Sequence, residues 1–172
     1  MAPKRADAQR NREKILAAAR EAFADPAAEV SMAEVSRRAG VGMATLYRNF
    51  PGQRELLEAL YVDEVDAVVA AAETLDLIGW VHRFVDFSRS KHPVATELLK
   101  SASGTDPVFN ENRARVLAAG RPLLEAAQRA GEIRADLTLE QVLDMVIAVS
   151  GIRGEAAYVE PILAAALDGL RP

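Results

Sequence analysis

Twenty residues near the N-terminus read Ser31-Met-Ala-Glu-Val-Ser-Arg-Arg-Ala-Gly-Val-Gly-Met-Ala-Thr-Leu-Tyr-Arg-Asn-Phe50. Ser31 and Glu34 have the spacing of a capping box, which predicts that a helix begins at Ser31. Gly40 can adopt the positive φ that ends a helix, and a short second helix is predicted from Gly42 to Asn49. This arrangement is typical of a helix-turn-helix motif, whose second helix can enter the major groove of DNA.

The side chains of this second helix favour contact with DNA. Leu46 and Phe50 lie one turn apart and are expected to face inward, so the other side chains point largely outward. The outward residues are Met43, Ala44, Thr45, Tyr47, Arg48 and Asn49. Four of these six carry hydrogen-bond donors, which suit the acceptors of DNA phosphates and bases. The spacing alone also fits an ordinary helical hairpin within a bundle.

Helical periodicity extends over the rest of the chain, because apolar residues recur at three and four positions and no run alternates as a strand would. A first helix is predicted from Ala8 to Ala24, and a long fourth helix from Gln53 to Leu75. Further helices are predicted at Asp76 to Ser90, Val94 to Ser101, Val108 to Ala130, Thr138 to Ser150 and Tyr158 to Leu167, the last bent or restarted at Pro161. The predicted fold class is all-α, with about nine helices.

Charge is unevenly distributed along the 172-residue chain. Residues 1–54 contain ten Lys and Arg against six Asp and Glu, a net charge of +4. Residues 55–172 contain eleven against nineteen, a net charge of -8. This asymmetry indicates that the N-terminal segment meets a polyanion, because phosphate contacts need local positive charge. Chance clustering of arginines is the alternative.

The chain lacks cysteine, targeting segments and the common catalytic motifs. Without cysteine it cannot contain disulfides, thiolate zinc sites or a cysteine nucleophile. It has no signal-peptide core and no stretch of roughly 18 apolar residues, so we expect a cytoplasmic protein with no membrane partner. His82 and His92 lack the supporting carboxylates of a metal site. We predict no enzymatic activity, no metal and no cofactor; a helical adaptor without DNA binding and, less favoured, a small all-α enzyme remain alternatives.

The stretch from Ser31 to Phe50 resembles the TetR/AcrR (tetracycline-repressor) family of bacterial transcriptional regulators, most closely at Ala39-Gly-Val41 and Thr45-Leu-Tyr47. The flanking residues 15–23 and 54–57 resemble the first and fourth helices of the family. The resemblance covers about the first third of the chain.

The resemblance implies two domains and a mechanism. Residues 1–54 would form a helix-turn-helix DNA-binding domain, and residues 55–172 a ligand-binding and dimerisation domain. The protein would be a repressor that binds a pseudo-palindromic operator in double-stranded DNA as a homodimer. A small-molecule effector, largely apolar, would release it.

Individual roles in DNA binding also follow from the resemblance. Thr45 and Tyr47 match positions that contact phosphates, whereas Met43, Ala44 and Arg48 match positions that approach bases. Arg48 can donate two hydrogen bonds to O6 and N7 of guanine, and Met43 or Ala44 can pack on a thymine methyl group.

The sequence departs from the family pattern at three positions. Gly42 and Gly52 stand where a hydroxyl N-cap is common, and Gln53 stands where a lysine commonly contacts phosphate. Arg54, the next residue, is the candidate substitute for that lysine. Before the first helix, a basic arm can reach the DNA backbone or minor groove, or can be a solvated tail; it consists of Lys4, Arg5 and Arg10.

An aromatic stripe marks the fifth predicted helix. Trp80, Phe84 and Phe87 lie at i, i+4 and i+7, so they share one helix face. Such a stripe usually packs in a core, but in a regulator of this type it can line an apolar effector pocket. His82 and Asn110, together with Asn112, are weaker candidates for the same pocket.

The last two predicted helices suggest a dimer interface. The helix after Thr138 has an apolar surface too wide to be covered on one side only, which calls for a second covering surface. Two such helix pairs related by a two-fold axis would form an isologous four-helix contact. The candidate interface residues are Leu139, Val142, Val146, Val149, Ile162, Leu163, Ala166, Leu167 and Leu170. Alternatively, these helices complete the core of the monomer.

Overall fold

A computed structural model describes residues 3–23, 30–100 and 107–172 of the chain. Over these ranges every regular element is a helix, which confirms the predicted all-α class. The helices are α1 Pro3–Phe23, α2 Met32–Ala39, α3 Met43–Asn49, α4 Gln53–Ala71, α5 Leu77–Lys100, α6 Pro107–Arg129, α7 Leu139–Ser150 and α8 Ala156–Asp168.

Prolines account for most differences from the predicted helix boundaries. The break predicted before Val94 is wrong, because α5 continues to Lys100 and merges two predicted helices into one. The restart predicted at Pro161 is also wrong, since α8 runs through this residue as α6 runs through Pro122. A proline removes one backbone hydrogen bond, but the packing of the whole helix can outweigh that loss. Conversely, α1 begins at Pro3 rather than Ala8, as expected of a residue favoured at the first helical position.

Two of the predicted helix caps are present, one of them only in part. The Ser31 side chain accepts a hydrogen bond from the backbone N–H of Glu34 at 3.2 Å, but the Glu34 carboxylate instead binds two arginines of α2. The Thr138 box is complete, with both the Gln141 N–H to Thr138 Oγ1 bond and the Thr138 N–H to Gln141 Oε1 bond. Sequence spacing therefore predicts both helix starts. Whether the second hydrogen bond of a capping box also forms depends on the other partners of the side chain three residues on, as the two arginines at Glu34 show.

The chain divides into two compact units. Unit 1 comprises Met1–Asp63 and His92–Gly104, and unit 2 comprises Glu64–Lys91 and Thr105–Pro172. In unit 1, α1 packs against both α2 and α3 around buried apolar side chains. None of the described helices is long and apolar enough to cross a membrane.

Trp80 is the largest fully buried side chain of unit 2. Its indole lies against Gly120 in the middle of α6, where an added Cβ atom would stand 2.3 Å from Trp80 Cη2. Trp80 Nε1 donates a hydrogen bond to the carbonyl oxygen of Val68 near the end of α4, at 3.0 Å. The indole therefore fills a notch that only glycine provides, and it satisfies a carbonyl at the end of a helix.

Candidate nucleic-acid interface

The turn between α2 and α3 is held by its own hydrogen bonds. Gly40 adopts the left-handed conformation, with φ 64° and ψ 31°, and its N–H donates to the carbonyl of Arg37. The buried hydroxyl of Ser36 donates to the carbonyl oxygen of Val41 at 2.6 Å, and the Val41 N–H donates back to the Ser36 carbonyl at 3.2 Å. These bonds fix the direction in which α3 leaves the turn.

The short helix α3 has a buried face and an exposed face. Leu46 and Phe50 are almost completely buried. The exposed residues are Met43, Ala44, Tyr47 and Arg48, while Thr45 and Asn49 are half-buried. The exposed face thus presents a thioether, a methyl group, a phenol and a guanidinium side by side, which suits contact with base edges and phosphates.

Hydrogen bonds within α3 orient its polar side chains. Arg48 Nη2 donates to Thr45 Oγ1 at 2.9 Å, and Asn49 Nδ2 donates to the Thr45 carbonyl oxygen at 2.8 Å. Gly42 is the N-cap and supplies no side-chain hydrogen bond, as its departure from the family pattern implies. Thr45 therefore holds the guanidinium of Arg48 against the helix.

Two neighbouring cations in α2 share one carboxylate. Glu34 Oε1 accepts from Arg37 at 2.7 Å and from Arg38 at 2.6 Å. Hydrogen bonds from Arg37 first, and then from Arg38, lower the pKa of Glu34 to about 2. The carboxylate therefore stays ionised at neutral pH, and the two guanidinium groups share it as their counterion, which leaves the cluster with a net charge of about +1.

The other predicted cations differ in their surroundings. Arg54 Nε pairs with Glu58 Oε1 at 2.8 Å along α4, and Arg10 pairs with Asp7. Gln53 Nε2 donates to the Val30 carbonyl oxygen at a long 3.5 Å. The basic arm predicted before the first helix is wrong, because Lys4, Arg5 and Arg10 all lie within α1. The side chains of Lys4 and Arg5 lie outside the described residues.

Arg12 is a residue of this region that the sequence analysis missed. Its guanidinium lies over the ring of Phe50, with Cζ 4.7 Å from the ring centroid. No motif pointed to it, because the contact joins α1 to the end of α3 across 38 positions of the chain. Only the packing of these helices brings the two side chains together.

The aromatic stripe of α5 lies inside unit 2. Trp80, Phe84 and Phe87 are buried, with ring centroids 6.1 Å apart for the first pair and 5.6 Å for the second. The hydroxyl of Ser88, next in the chain, is buried and has no hydrogen-bond partner among the described residues. Asn112 is also buried, and it donates to the Val108 carbonyl oxygen at 2.8 Å.

Two surface clefts of unit 2 have volumes of about 500 and 470 Å³. His82 is exposed and lines the second cleft, together with residues of α5 and α8. The stripe residues line neither cleft, and Asn110 is exposed elsewhere on the surface. The predicted ligand residues are therefore not gathered in one open pocket of the described chain.

The predicted dimer residues mostly face the core of their own chain. Among the nine, only Ile162 and Ala166 are half-buried, and the other seven are buried in the single chain. The same two helices leave a different surface open, on which Ile147 is 39% and Tyr158 63% exposed. Its other exposed members include Ala148, Ala157, Pro161, Ala164 and Ala165.

Two protein-family models match this chain, one in its N-terminal part and one in its C-terminal part. Residues 15–60 match the family described as bacterial regulatory proteins, tetR family, and residues 72–172 match the C-terminal domain of SbtR-like transcriptional regulators. No curated protein matches significantly.

Solved structures of TetR regulators are also similar to this chain. A TetR transcriptional regulator from Streptomyces coelicolor is 32% identical, with a TM-score of 0.75, over 94% of this chain and 98% of that one. A TetR regulatory protein from Mycobacterium vanbaalenii is 33% identical, with a TM-score of 0.72, over 99% of this chain and 100% of that one. The regulator FadR from Bacillus subtilis, solved in complex with stearoyl-CoA, shares the fold at 18% identity and a TM-score of 0.55, over 80% of this chain and 82% of that one.

Proposed function

Since this chain belongs to the TetR family of bacterial transcriptional regulators, we propose that it is a repressor that reads its operator with the exposed face of α3. The observation that carries this proposal is that α3 has a buried face and an exposed face. Leu46 and Phe50 are buried, and Met43, Tyr47 and Arg48 are exposed. Residues 1–54 form the DNA-binding domain in this proposal, and residues 55–172 bind the effector and the second protomer. The protein works in the cytoplasm, where its operator lies.

We divide the contacts of α3 into two kinds. Arg48, Met43 and Ala44 approach base edges, since a guanidinium can pair with guanine and small apolar groups can pack on thymine. Thr45, Tyr47 and Asn49 position the helix on the backbone, because hydroxyl and amide donors suit phosphate oxygens. Lys4 and Arg5 add positive charge around this contact, while Arg54 and Arg10 reach phosphates by giving up their pairs with Glu58 and Asp7.

Arg48→Ala is expected to weaken operator binding by roughly 1 to 3 kcal/mol and to relax the preference at one base position. Tyr47→Phe, which removes only the hydroxyl, is expected to weaken binding evenly across sequences. Both effects are measured by gel shift with DNA from upstream of the chain's own gene. Single-base variants of the bound site within that DNA then give the preference at each position. If Arg48→Ala kept both the affinity and the preferred sequence of the wild type, the placement of α3 on base edges would be wrong.

We propose that unit 2 binds an apolar effector beside the aromatic stripe. The buried hydroxyl of Ser88, which has no hydrogen-bond partner in the described part of the chain, supports this position, because an unsatisfied buried polar group is costly and a ligand can supply the missing hydrogen bond. The complex of FadR with stearoyl-CoA shows that a protein of this fold can hold a long acyl ligand. Since Phe84 and Phe87 are closely packed, the ligand must part them to enter.

An effector of this site is expected to shift the fluorescence of Trp80 at the same concentration that releases DNA, because the stripe must repack around it. A series of apolar molecules, beginning with stearoyl-CoA, is titrated while emission and DNA anisotropy are followed together. Ser88→Ala should weaken this response and leave DNA binding intact, whereas Ser36→Ala, in unit 1, should leave the effector-induced change in Trp80 emission as it is in the wild type. DNA release without any change in Trp80 emission, and with a normal response of Ser88→Ala, would remove the stripe from the site.

A further inference from the structure

Most arginines of the N-terminal 63 residues are paired with carboxylates. Among the described side chains, the ion pairs are Arg10 with Asp7, Arg20 with Asp63, Arg37 and Arg38 with Glu34, and Arg54 with Glu58. Arg48 instead binds the hydroxyl of Thr45. Within the described part of this segment, Arg12 is a second arginine without a carboxylate partner, and its contact is an aromatic ring.

The position of Arg12 is defined by Phe50. The distance of 4.7 Å from Cζ to the ring centroid lies within the range of cation–π contacts. An arginine over a ring uses the flat face of its guanidinium, so its N–H donors remain available at the edge. Phe50 is the C-cap of α3, and α4 begins three residues later at Gln53. The guanidinium is therefore anchored between the end of α3 and the start of another helix.

We infer that Arg12 binds a DNA backbone phosphate, and that Phe50 holds its guanidinium in place for this contact. An anchored guanidinium that pairs with none of the described carboxylates can form the paired hydrogen bonds that a phosphate accepts. This inference rests on the proposed contact of α3 with DNA. If α3 lies in the major groove, its C-terminal end lies beside the sugar-phosphate backbone of the DNA. Arg12 is thus a positioning residue that carries no sequence preference.

The dependence of binding on salt separates this role from a purely structural one. Each phosphate contact releases counterions, so its loss reduces the slope of log K against log salt by about 0.9, or roughly twice that for a dimer. Arg12→Gln is expected to show this reduction, with an equal loss of affinity on operator and scrambled duplexes. Arg12→Lys keeps the charge and is expected to retain most of the slope. The slopes are measured by fluorescence anisotropy from low to physiological KCl.

Lys14→Gln is the matched control, because Lys14 lies two positions along α1, on roughly the opposite side of the helix. It removes the same charge and is expected to leave the slope unchanged. A wild-type slope for Arg12→Gln, with a lowered melting temperature, would show that Arg12 merely supports Phe50 and would overturn the inference. A wild-type protein that does not prefer operator over scrambled DNA would instead refute the proposed function.

Discussion

Ala165→Glu is expected to yield a folded monomer whose affinity for the operator is about a hundredfold below that of the wild type. Tyr158, Pro161 and Ala165 lie at i, i+3 and i+7 on the exposed side of α8, next to the exposed surface of α7. We propose this surface as the dimer interface, with a second copy of the chain covering it. A two-fold axis would place the new carboxylate at the interface twice, in each case without a partner.

Loss of the dimer weakens DNA binding because one short recognition helix reads few bases. Two such helices spaced about 34 to 36 Å apart read both halves of a pseudo-palindrome. Sedimentation at micromolar concentration gives the oligomeric state, and circular dichroism confirms the fold. The matched control is Ala118→Glu, at an exposed alanine of α6 opposite its buried residues, which should remain dimeric.

The burial of the predicted interface residues decides which substitution can test the dimer. Leu167 is buried within its own chain, so Leu167→Glu would disrupt the core whether or not a dimer forms. Ala165 is exposed, and a glutamate there meets solvent in the monomer. A wild-type protein that sediments as a monomer, or an Ala165→Glu protein that stays dimeric with full operator affinity, would contradict the proposed interface.

Gly120→Ala is expected to lower the free energy of unfolding of the protein by roughly 1 to 3 kcal/mol. An alanine normally stabilises the interior of a helix relative to glycine, so the sign is opposite to that expected from helix propensity. The reason is the added methyl group, which would stand 2.3 Å from Trp80 Cη2 and 2.6 Å from Cζ3. The indole cannot easily move away, because it is fully buried and its Nε1 is hydrogen-bonded to Val68.

Urea unfolding measures this change, and a double-mutant cycle tests its cause. Trp80→Phe shortens the side chain at the clash, so the loss caused by Gly120→Ala should be smaller in the Trp80→Phe background. The control is Gly151→Ala, where the nearest atoms are backbone carbonyl oxygens at an ordinary 3.5 Å. Equal stability of Gly120→Ala and the wild type would mean that unit 2 has room to adjust at this contact.

The sequence predicted those features that depend on local patterns. The helix-turn-helix was predicted correctly because a glycine at position 40 and an apolar pair at Leu46 and Phe50 act within one or two turns of the chain. The complete capping box at Thr138 is local in the same sense. These features follow from the spacing of residue types, and packing elsewhere does not change them.

Features that depend on tertiary packing were missed or left open. The wide apolar surface of α7 did predict more than one covering surface, but the sequence could not show that the chain itself supplies most of the cover. Arg12 and Phe50 come together only through the packing of α1 on α3. The spacing of the stripe at Trp80 predicts a shared helix face. The contact of Trp80 with Gly120, however, depends on how far α5 and α6 are shifted along their axes relative to one another, which no local pattern encodes.

The fit between Trp80 and Gly120 also limits the order in which these two positions can evolve. A side chain larger than that of alanine is blocked at position 120 as long as the indole occupies the notch, whereas position 80 can become smaller at the cost of a cavity. A lineage that acquires such a side chain therefore has to change the tryptophan first and pass through a less stable intermediate. Among descendants of this chain, a residue larger than alanine at position 120 would thus record an earlier loss of the indole.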